Sequence, residues 1–226
     1  MRAVYTEYNI MPSLQLHQLR VAAVAKLICQ GFSSEGGSAS GGQKPVDERV
    51  VVLACLFHDM GNIIKSDLKY FPEFIEPKGL KYWEKVKREF ISKFGPKPHE
   101  ANVAIAEKIG LPDASVVLID SISFSKLAEV VADDSHERKI MQYADLRVGP
   151  HGILPLADRI AEGRKRYNTT RTERSYYESD EGFDGLARAA EELEKQVFAD
   201  TQLKPENITD TSIAPLIEEL WEYPVP

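Results

Sequence analysis

Apolar residues recur at intervals of three and four along most of this 226-residue chain, and convincing alternation with a period of two is absent. This spacing places apolar side chains on one face of an α-helix. Glycine, proline and aspartate separate the periodic stretches, as they do at helix ends. The pattern therefore predicts an all-α protein. The predicted helices cover about residues 13–30, 46–58, 79–94, 99–109, 116–122, 127–131, 134–148, 154–167, 186–197 and 213–221.

The stretch 50–57 contains no polar side chain and leads directly into His58 and Asp59. A helix of this composition is buried almost all round, so the pair that follows it lies in a medium of low dielectric. A carboxylate in such a place needs a cation nearby. The alternative interpretation is that Asp59 caps the next turn and that His58 is a hydrogen-bonded core residue.

Two further polar residues lie on apolar helix faces: His17 in the first predicted helix and Asp145 in a later one. With His58 and Asp59 they form a set of four inward-facing groups, and one divalent metal ion would neutralise both acids. Two imidazoles and two carboxylates suit Mn²⁺, Fe²⁺, Co²⁺ or Zn²⁺, whereas Mg²⁺ is compatible but less favoured by nitrogen ligands. The spacing alone does not establish that the four groups converge.

Composition and charge narrow the class of protein. The longest apolar runs are too short to span a membrane, and no basic segment leads into an apolar one at the start, so we expect a cytoplasmic protein. A formal net charge of -7 disfavours general nucleic-acid binding but permits a local basic pocket for phosphate. Cys29 and Cys55 lack the spacing of a zinc knuckle and are predicted to be buried, reduced thiols. A homo-oligomer is compatible with the sequence.

Three short motifs carry a resemblance to a known family. They are HQLRVA from His17, HDMGN from His58 and Asp145 preceded by alanine, in that order. This order resembles the signature of the HD-domain metal-dependent phosphohydrolases over about residues 13–167. The resemblance implies a helical bundle in which His17, His58, Asp59 and Asp145 are metal ligands. It also implies that the bound metal activates water to attack a phosphate ester.

The resemblance and the helical pattern together predict the domain organisation. Residues 1–167 are expected to form an HD-type bundle. Residues 168–226 are expected to contribute a basic and aromatic loop and a C-terminal helical extension packed on the same domain. No strong break in composition divides the chain, and its length is sufficient for one full hydrophobic core.

Two departures from the family pattern affect the expected chemistry. Binuclear members, including cyclic-dinucleotide phosphodiesterases, resemble this chain at His99 but have further histidines downstream, where it reads DSISF at 120–124. A complete second metal site is therefore not expected, and His99 is predicted to bind substrate. Mononuclear nucleotidase-like members often carry Glu three residues after the Asp of the pair, where this chain has Asn62. Asparagine can orient a water molecule but cannot accept its proton at neutral pH.

Cationic side chains are expected to complete a clamp for phosphate. Lys65, a turn or so beyond the His-Asp pair, is one candidate, with a solvated surface lysine as the alternative. Arg147, two residues after Asp145, either contacts phosphate or forms a structural salt bridge. Arg20, one turn after His17, is a further substrate-binding candidate, or else the partner of an acid outside the ligand set.

Residues 159–174 are unusually basic for an acidic chain and are interleaved with aromatic residues. One interpretation is a flexible lid in which Arg164 and Arg166 bind phosphate and Tyr167 stacks on a base. The alternative is a solvated face on which the basic residues balance neighbouring acids such as Glu162.

The sequence thus favours a phosphohydrolase that uses one divalent metal ion. Its expected substrate is a small phosphorylated metabolite such as a nucleoside monophosphate or a related phosphomonoester, with a phosphodiester less favoured. Asp59, Asn62 and Lys65 are the predicted catalytic residues. The alternative is a binding module that keeps the metal and a nucleotide pocket but hydrolyses poorly, and Asn62 is the feature in its favour.

Overall fold

A computed structural model of the chain describes residues 1–33, 46–169, 180–199 and 201–226. Within these residues it contains eleven α-helices and no strand, which confirms the all-α prediction. None of the described helices combines the length and the apolar composition needed to cross a membrane. The helices are α1 (Arg2–Glu7), α2 (Pro12–Ser33), α3 (Glu48–Phe57), α4 (Leu80–Phe94), α5 (Pro98–Ile109), α6 (Asp113–Ser121), α7 (Leu127–Ala132), α8 (His136–Arg147), α9 (Leu156–Thr169), α10 (Asp180–Phe198) and α11 (Asp210–Trp221).

Helices α2 and α3 form the centre of the bundle. Helix α2 packs against α3, α8 and α11, and α3 also packs against α6 and α8. Every residue of α3 from Val51 to Phe57 is fully buried, as its apolar sequence predicts. The Asp47 side chain caps the start of α3 by accepting a hydrogen bond from Val50 N at 3.1 Å. The helix ends at Phe57, so the His-Asp pair lies in the turn that follows it.

Gly31, whose position suggests a helix end, lies inside α2, which continues to Ser33. A Cβ atom at Gly31 would lie 2.6 Å from Thr201 Oγ1 and 3.3 Å from Leu203 Cβ. The missing side chain therefore allows the C-terminal part of the chain to approach α2 closely. This is a tertiary requirement, which the local pattern does not distinguish from a helix stop.

Two helix starts also differ from the sequence-based expectation. Helix α8 begins at His136, two residues after the predicted start, and is capped by Ser135, whose hydroxyl accepts a hydrogen bond from Arg138 N at 3.2 Å. Helix α1 was not expected, because six residues are too few to show helical periodicity. It is held by Tyr5, which is 1% exposed and donates a hydrogen bond to the Leu56 carbonyl at 2.9 Å.

The C-terminal helices share the hydrophobic core of the bundle. Helix α10 packs against α7, α8 and α9, while α11 packs against α2. Leu193 of α10 and Ile213 of α11 are fully buried within the same apolar cluster as α3. The proposed boundary between residues 167 and 168 thus divides a chain whose two parts share one continuous core, and the boundary itself remains a prediction.

Arg147 has a structural role that differs from both expectations for it. The side chain is 3% exposed. Its Nε donates to the Leu154 carbonyl at 2.6 Å, and its Nη atoms donate to the Tyr143 hydroxyl at 2.7 Å and to the carbonyls of Pro205 at 3.1 Å and Ile208 at 3.2 Å. The guanidinium is thus used to join α8 to the 205–208 segment, so it is neither a phosphate contact nor a salt bridge.

We expect Arg147→Met to lower the free energy of unfolding by about 3 kcal/mol, because buried carbonyl groups would lose their donors. Arg88→Met, which changes an exposed arginine on α4, is the matched control and should change it by less than about 0.5 kcal/mol. Denaturant unfolding of the two variants measures the difference. Equal, small losses would show that the network around Arg147 contributes little.

Candidate metal centre

The fold brings the four predicted ligands to one place. His17 lies on α2, His58 and Asp59 lie in the turn after α3, and Asp145 lies in the last turn of α8. One ligand atom from each of His17, His58 and Asp59 can be chosen so that all lie within 4.8 Å of one another. Asp145 Oδ1 is 3.2 Å from His17 Nε2 and 3.5 Å from His58 Nε2. These distances place two carboxylates around two imidazole nitrogens.

The hydrogen bonding of His58 leaves one ring nitrogen for a metal ion. The ring Nδ1 lies 2.7 Å from the Cys55 carbonyl oxygen, so it carries the proton and donates it. The other nitrogen, Nε2, is buried and forms no well-aligned hydrogen bond, although Asp145 Oδ1 lies 3.5 Å away. A buried polar atom without a partner is costly, and a carbonyl on the opposite nitrogen is the usual support for a metal-bound histidine. The donor set therefore fits a divalent metal ion.

The charges of the centre also stabilise one another in the absence of a metal. Burial lowers the pKa of His58, but the Asp59 and Asp145 carboxylates outweigh it and raise that pKa to about 9. Burial raises the pKa of Asp145, but a hydrogen bond from His17 and the positive charges of His17 and His58 hold it well below its usual range. Without a metal, the proton on His58 therefore partly neutralises the two acids.

The turn that carries the pair is held by two buried amides that the sequence-based reasoning missed. Gln18, fully buried next to His17, accepts a hydrogen bond from Asp59 N at 3.3 Å. Asn102 of α5 accepts one from Gly61 N at 2.6 Å. A Cβ atom at Gly61 would lie 2.9 Å from the Pro98 carbonyl oxygen, so only glycine lets α5 pack so close. The signal that these residues offered was a polar side chain on an apolar helix face.

The centre opens into a pocket of about 950 Å³. Asn62, Lys65 and His99, which the sequence assigned to catalysis or substrate binding, line this pocket together with His17, His58, Asp59 and Asp145. Asn62 is 7% exposed and begins a short 3₁₀ helix, Asn62–Ile64. His99 Nε2 lies 3.0 Å from Asp120 Oδ1. Their positions agree with the assigned roles, which remain predictions.

Two of the predicted substrate-binding arginines are engaged elsewhere. Arg20 Nε lies 3.7 Å from Asp210 Oδ1, so Arg20 follows the alternative of pairing with an acid outside the ligand set. Arg164 donates a hydrogen bond to Asp184, and its guanidinium lies 4.5 Å from the centre of the Phe183 ring. Neither arginine is among the described residues that line the pocket. Both were assigned from sequence spacing, which does not show which acid a long side chain reaches.

Other predicted features of the basic segment lie outside the described residues. The side chains of Arg166 and Tyr167 and the whole of 170–179 are not described. Of the two arginines proposed to bind phosphate in a lid, only Arg164 has a described side chain. Its ion pair with Asp184 favours a structural contact over a lid.

Besides Lys65, the pocket is lined by Arg159, the first residue of the basic stretch, and by two lysines that the sequence did not single out, Lys87 and Lys126. Lys87 of α4 is half-buried, and its Nζ donates a hydrogen bond to the Ser66 carbonyl at 2.8 Å. Arg159 Nε donates to the Val148 carbonyl at 3.0 Å. The pocket is also lined by aromatic rings, namely Tyr70, Phe71, Phe74, Phe124 and Phe183. Positive charge and aromatic surface thus border the same cavity as the acidic centre.

We expect the protein to bind one equivalent of Mn²⁺, Co²⁺ or Zn²⁺ and to release a proton on binding at neutral pH. With a pKa of about 9, His58 is protonated below that pH when no metal is bound, so the metal ion must displace a proton. The affinity should rise about tenfold per pH unit up to about pH 9. Titration calorimetry in buffers of different ionisation enthalpy measures both quantities.

His58→Ala should abolish this binding, while His151→Ala, which changes an exposed histidine, is the matched control. Two equivalents bound with similar affinity would contradict a mononuclear centre. An affinity independent of pH would contradict the proton displacement.

Comparison with known proteins agrees with this geometry. A family model described as HD domain matches residues 15–147, which is more than half of the chain. Neither a curated protein nor a solved structure matched the chain. HD domains bind divalent metals and are mostly metal-dependent hydrolases, and the cluster of His17, His58 and Asp59 fits their metal-binding signature. The chain therefore belongs to the HD domain family.

Proposed function

We propose that this protein is a metal-dependent phosphohydrolase that acts on small phosphomonoesters, with nucleoside monophosphates as the favoured class. The observation that carries the proposal is the buried Nε2 of His58, which forms no well-aligned hydrogen bond and faces two carboxylates in a pocket that cations also line. His17, His58, Asp59 and Asp145 would hold the ion. A bound divalent ion lowers the pKa of water and screens charge on phosphoryl oxygens.

The residues of the turn would orient the attacking water. Asn62 follows Asp59 by three residues, its backbone N–H donates to the Asp59 carbonyl at 3.0 Å, and its side chain lines the pocket. Its amide can position water by hydrogen bonding but cannot take up the proton. We assign proton uptake to the Asp59 carboxylate, because this group has two oxygens and lies beside Asn62 in the same turn.

Two lysines near this turn are the proposed phosphate contacts. Lys65 is exposed and ends the 3₁₀ helix that Asn62 begins. Lys87 approaches from α4, and the Ser66 carbonyl that accepts its hydrogen bond belongs to the residue following Lys65. Ser66 in turn donates its hydroxyl proton to the Asn62 carbonyl at 2.8 Å. Ser66 therefore connects Lys87 to Asn62, the residue that we propose orients the water. This link holds the Lys87 ammonium near the metal centre, which favours a phosphate contact over a solvated surface lysine.

The aromatic lining supports a nucleotide over a smaller, fully polar phosphoester. Phe71 and Phe74 line the pocket with ring centres 4.9 Å apart, and Tyr70 meets Phe71 edge to face at 4.6 Å. Such clustered rings offer apolar surface on which a planar base can pack. A sugar phosphate would leave this part of the pocket without a complementary group.

A second candidate function is a metal- and nucleotide-binding module with little turnover. The specific observation in its favour is Asn62, because no general base of the nucleotidase type stands at that position. The two functions differ in turnover and not in ligand binding, so they are separated by one assay.

The test is to remove metal, reload the protein with Mn²⁺, Co²⁺ or Mg²⁺, and measure phosphate release from phosphomonoesters, phosphodiesters and nucleoside triphosphates. We expect release from phosphomonoesters, with nucleoside monophosphates preferred. Lys87→Met should raise KM about tenfold, on the scale of one charge-assisted hydrogen bond, without changing metal content. Lys85→Met, an exposed lysine on the same helix, is the control and should leave KM unchanged.

The outcomes separate the candidates. Metal-loaded protein that binds nucleotides without hydrolysing any of the three substrate groups would support the binding module. Preferential hydrolysis of phosphodiesters would refute the proposed substrate class.

A further expectation concerns Asn62 itself. Asn62→Glu should raise kcat at neutral pH, because general-base assistance is typically worth about 10²–10⁴-fold in rate. Asn62→Ala should lower kcat, since the water loses an orienting group, while metal affinity stays nearly the same. We would measure kcat and bound metal together in both variants. If kcat were unchanged in both variants, Asn62 would have only a structural role at the start of the 3₁₀ helix.

A further inference from the structure

The segment that leads into α11 contacts both of the long helices that carry metal ligands. Helix α2 holds His17 and helix α8 holds Asp145. The 205–212 region lies beyond the part of the chain that matches the HD domain family model, which ends at residue 147. Its contacts are therefore a property of this chain's C-terminal extension and are not given by the family match.

Asp210, the first residue of α11, makes the contact with α2. Its Oδ1 lies 3.7 Å from Arg20 Nε, and Arg20 follows His17 by three residues on the same helix. The Arg20 side chain is 16% exposed, so this charge pair is shielded from water on one side. A change at Asp210 therefore acts on α2 within one turn of a metal ligand.

The same carboxylate also holds the loop that follows α8. Both oxygens accept hydrogen bonds from Ile153 N, at 3.3 and 3.2 Å. A Cβ atom at Gly152 would lie 2.6 Å from Asp210 Oδ2, so the carboxylate sits directly on the backbone of this loop. The loop is tied back to the end of α8 by the hydrogen bond from Leu154 N to the Arg147 carbonyl at 2.9 Å.

The residues just before Asp210 attach the same segment to α8 through their backbone carbonyls. Arg147 of α8, two residues after Asp145, donates hydrogen bonds to the carbonyls of Pro205 and Ile208. The segment is thus attached to α8 through Arg147 and to both α2 and the loop through Asp210. It spans the two helices whose ligand atoms, His17 Nε2 and Asp145 Oδ1, are 3.2 Å apart.

We propose that Asp210 is a positioning residue for the metal centre, which acts through Arg20 and the 149–154 loop to fix the separation of His17 and Asp145. Metal affinity depends steeply on ligand placement, and residues that support the ligands from outside typically change it by 10–100-fold. This inference rests on the proposed metal centre. It assigns to the C-terminal extension a part in metal binding that is independent of the substrate.

A stability role alone would have a different signature. An acid in the first turn of a helix stabilises that helix through its dipole, and the loss of Asp210 would lower Tm for this reason whether or not it positions ligands. That effect would not alter the affinity of the folded protein for a metal or the coordination of the metal. Metal Kd and the visible spectrum of bound Co²⁺ are therefore the deciding measurements, made well below Tm.

The experiment titrates the metal-free protein with Co²⁺ for wild type, Asp210→Asn, Asp210→Ala and Glu219→Gln. Asn keeps one acceptor oxygen for Ile153 N but loses the charge facing Arg20, whereas Ala loses both the acceptor and the charge. Glu219→Gln is the matched control, because Glu219 pairs with Lys26 at 2.7 Å between the same two helices, α11 and α2, and Lys26 lies six residues further from His17 than Arg20 does. We expect Kd to rise about tenfold or more for Ala and less for Asn, with an altered Co²⁺ spectrum in Ala.

Glu219→Gln should retain the wild-type Kd and spectrum. An Asp210→Ala protein that is folded and matches the control in Kd and spectrum would overturn the positioning role, even if its Tm were lower. If wild-type protein does not bind Co²⁺, the metal centre fails and this inference with it. If wild type binds and Asp210→Ala does not differ, only the inference fails.

Discussion

The structure depends on how two carboxylates and two imidazoles are accommodated beside the most apolar helix of the chain. Helix α3 is buried along its length from Val51 and ends where His58 begins. Charged groups in this environment are stable only if they neutralise one another or bind a counter-ion. The helices that surround α3 meet this requirement, because α2 and α8 each bring one complementary group to its C-terminal end.

This requirement explains why the turn after α3 is so closely supported. A carboxylate such as Asp59 must point at the centre, so the backbone that carries it cannot be free to rotate. Gln18 and Asn102 hold that backbone with buried side-chain oxygens, and Gly61 removes the side chain that would separate the turn from α5. The precision of the centre is thus set by polar groups that touch neither a metal nor a substrate.

The sequence predicted the helices and the ligand set because both rest on local patterns. Apolar periodicity locates a helix, and a polar residue on its buried face needs a partner wherever that partner lies. The cations were predicted less well. Arg147 follows Asp145 by two residues, and positions two apart on a helix point in nearly opposite directions. That geometry already argues against a shared pocket, and the structure shows Arg147 bound to carbonyls on the far side of α8.

Other cations could not be assigned without the tertiary structure. Lys87 belongs to α4, whose buried stripe contains Trp83, Val86 and Phe90, and nothing in that pattern distinguishes Lys87 from the other lysines of the helix. Only the approach of α4 to the 3₁₀ helix at Asn62–Ile64 brings it to the pocket. Long cationic side chains reach several neighbouring elements, so their partners are decided by packing that spacing does not encode.

The charge balance of the centre also explains how this core can fold around so many ionisable groups. In the absence of a metal, the proton that the two acids retain on His58 provides part of the balancing positive charge, and the pKa of about 9 keeps it there at neutral pH. A metal ion then replaces that proton and adds one further positive charge next to Asp59 and Asp145. Proton and metal thus compete for the same place, because both satisfy the same two carboxylates.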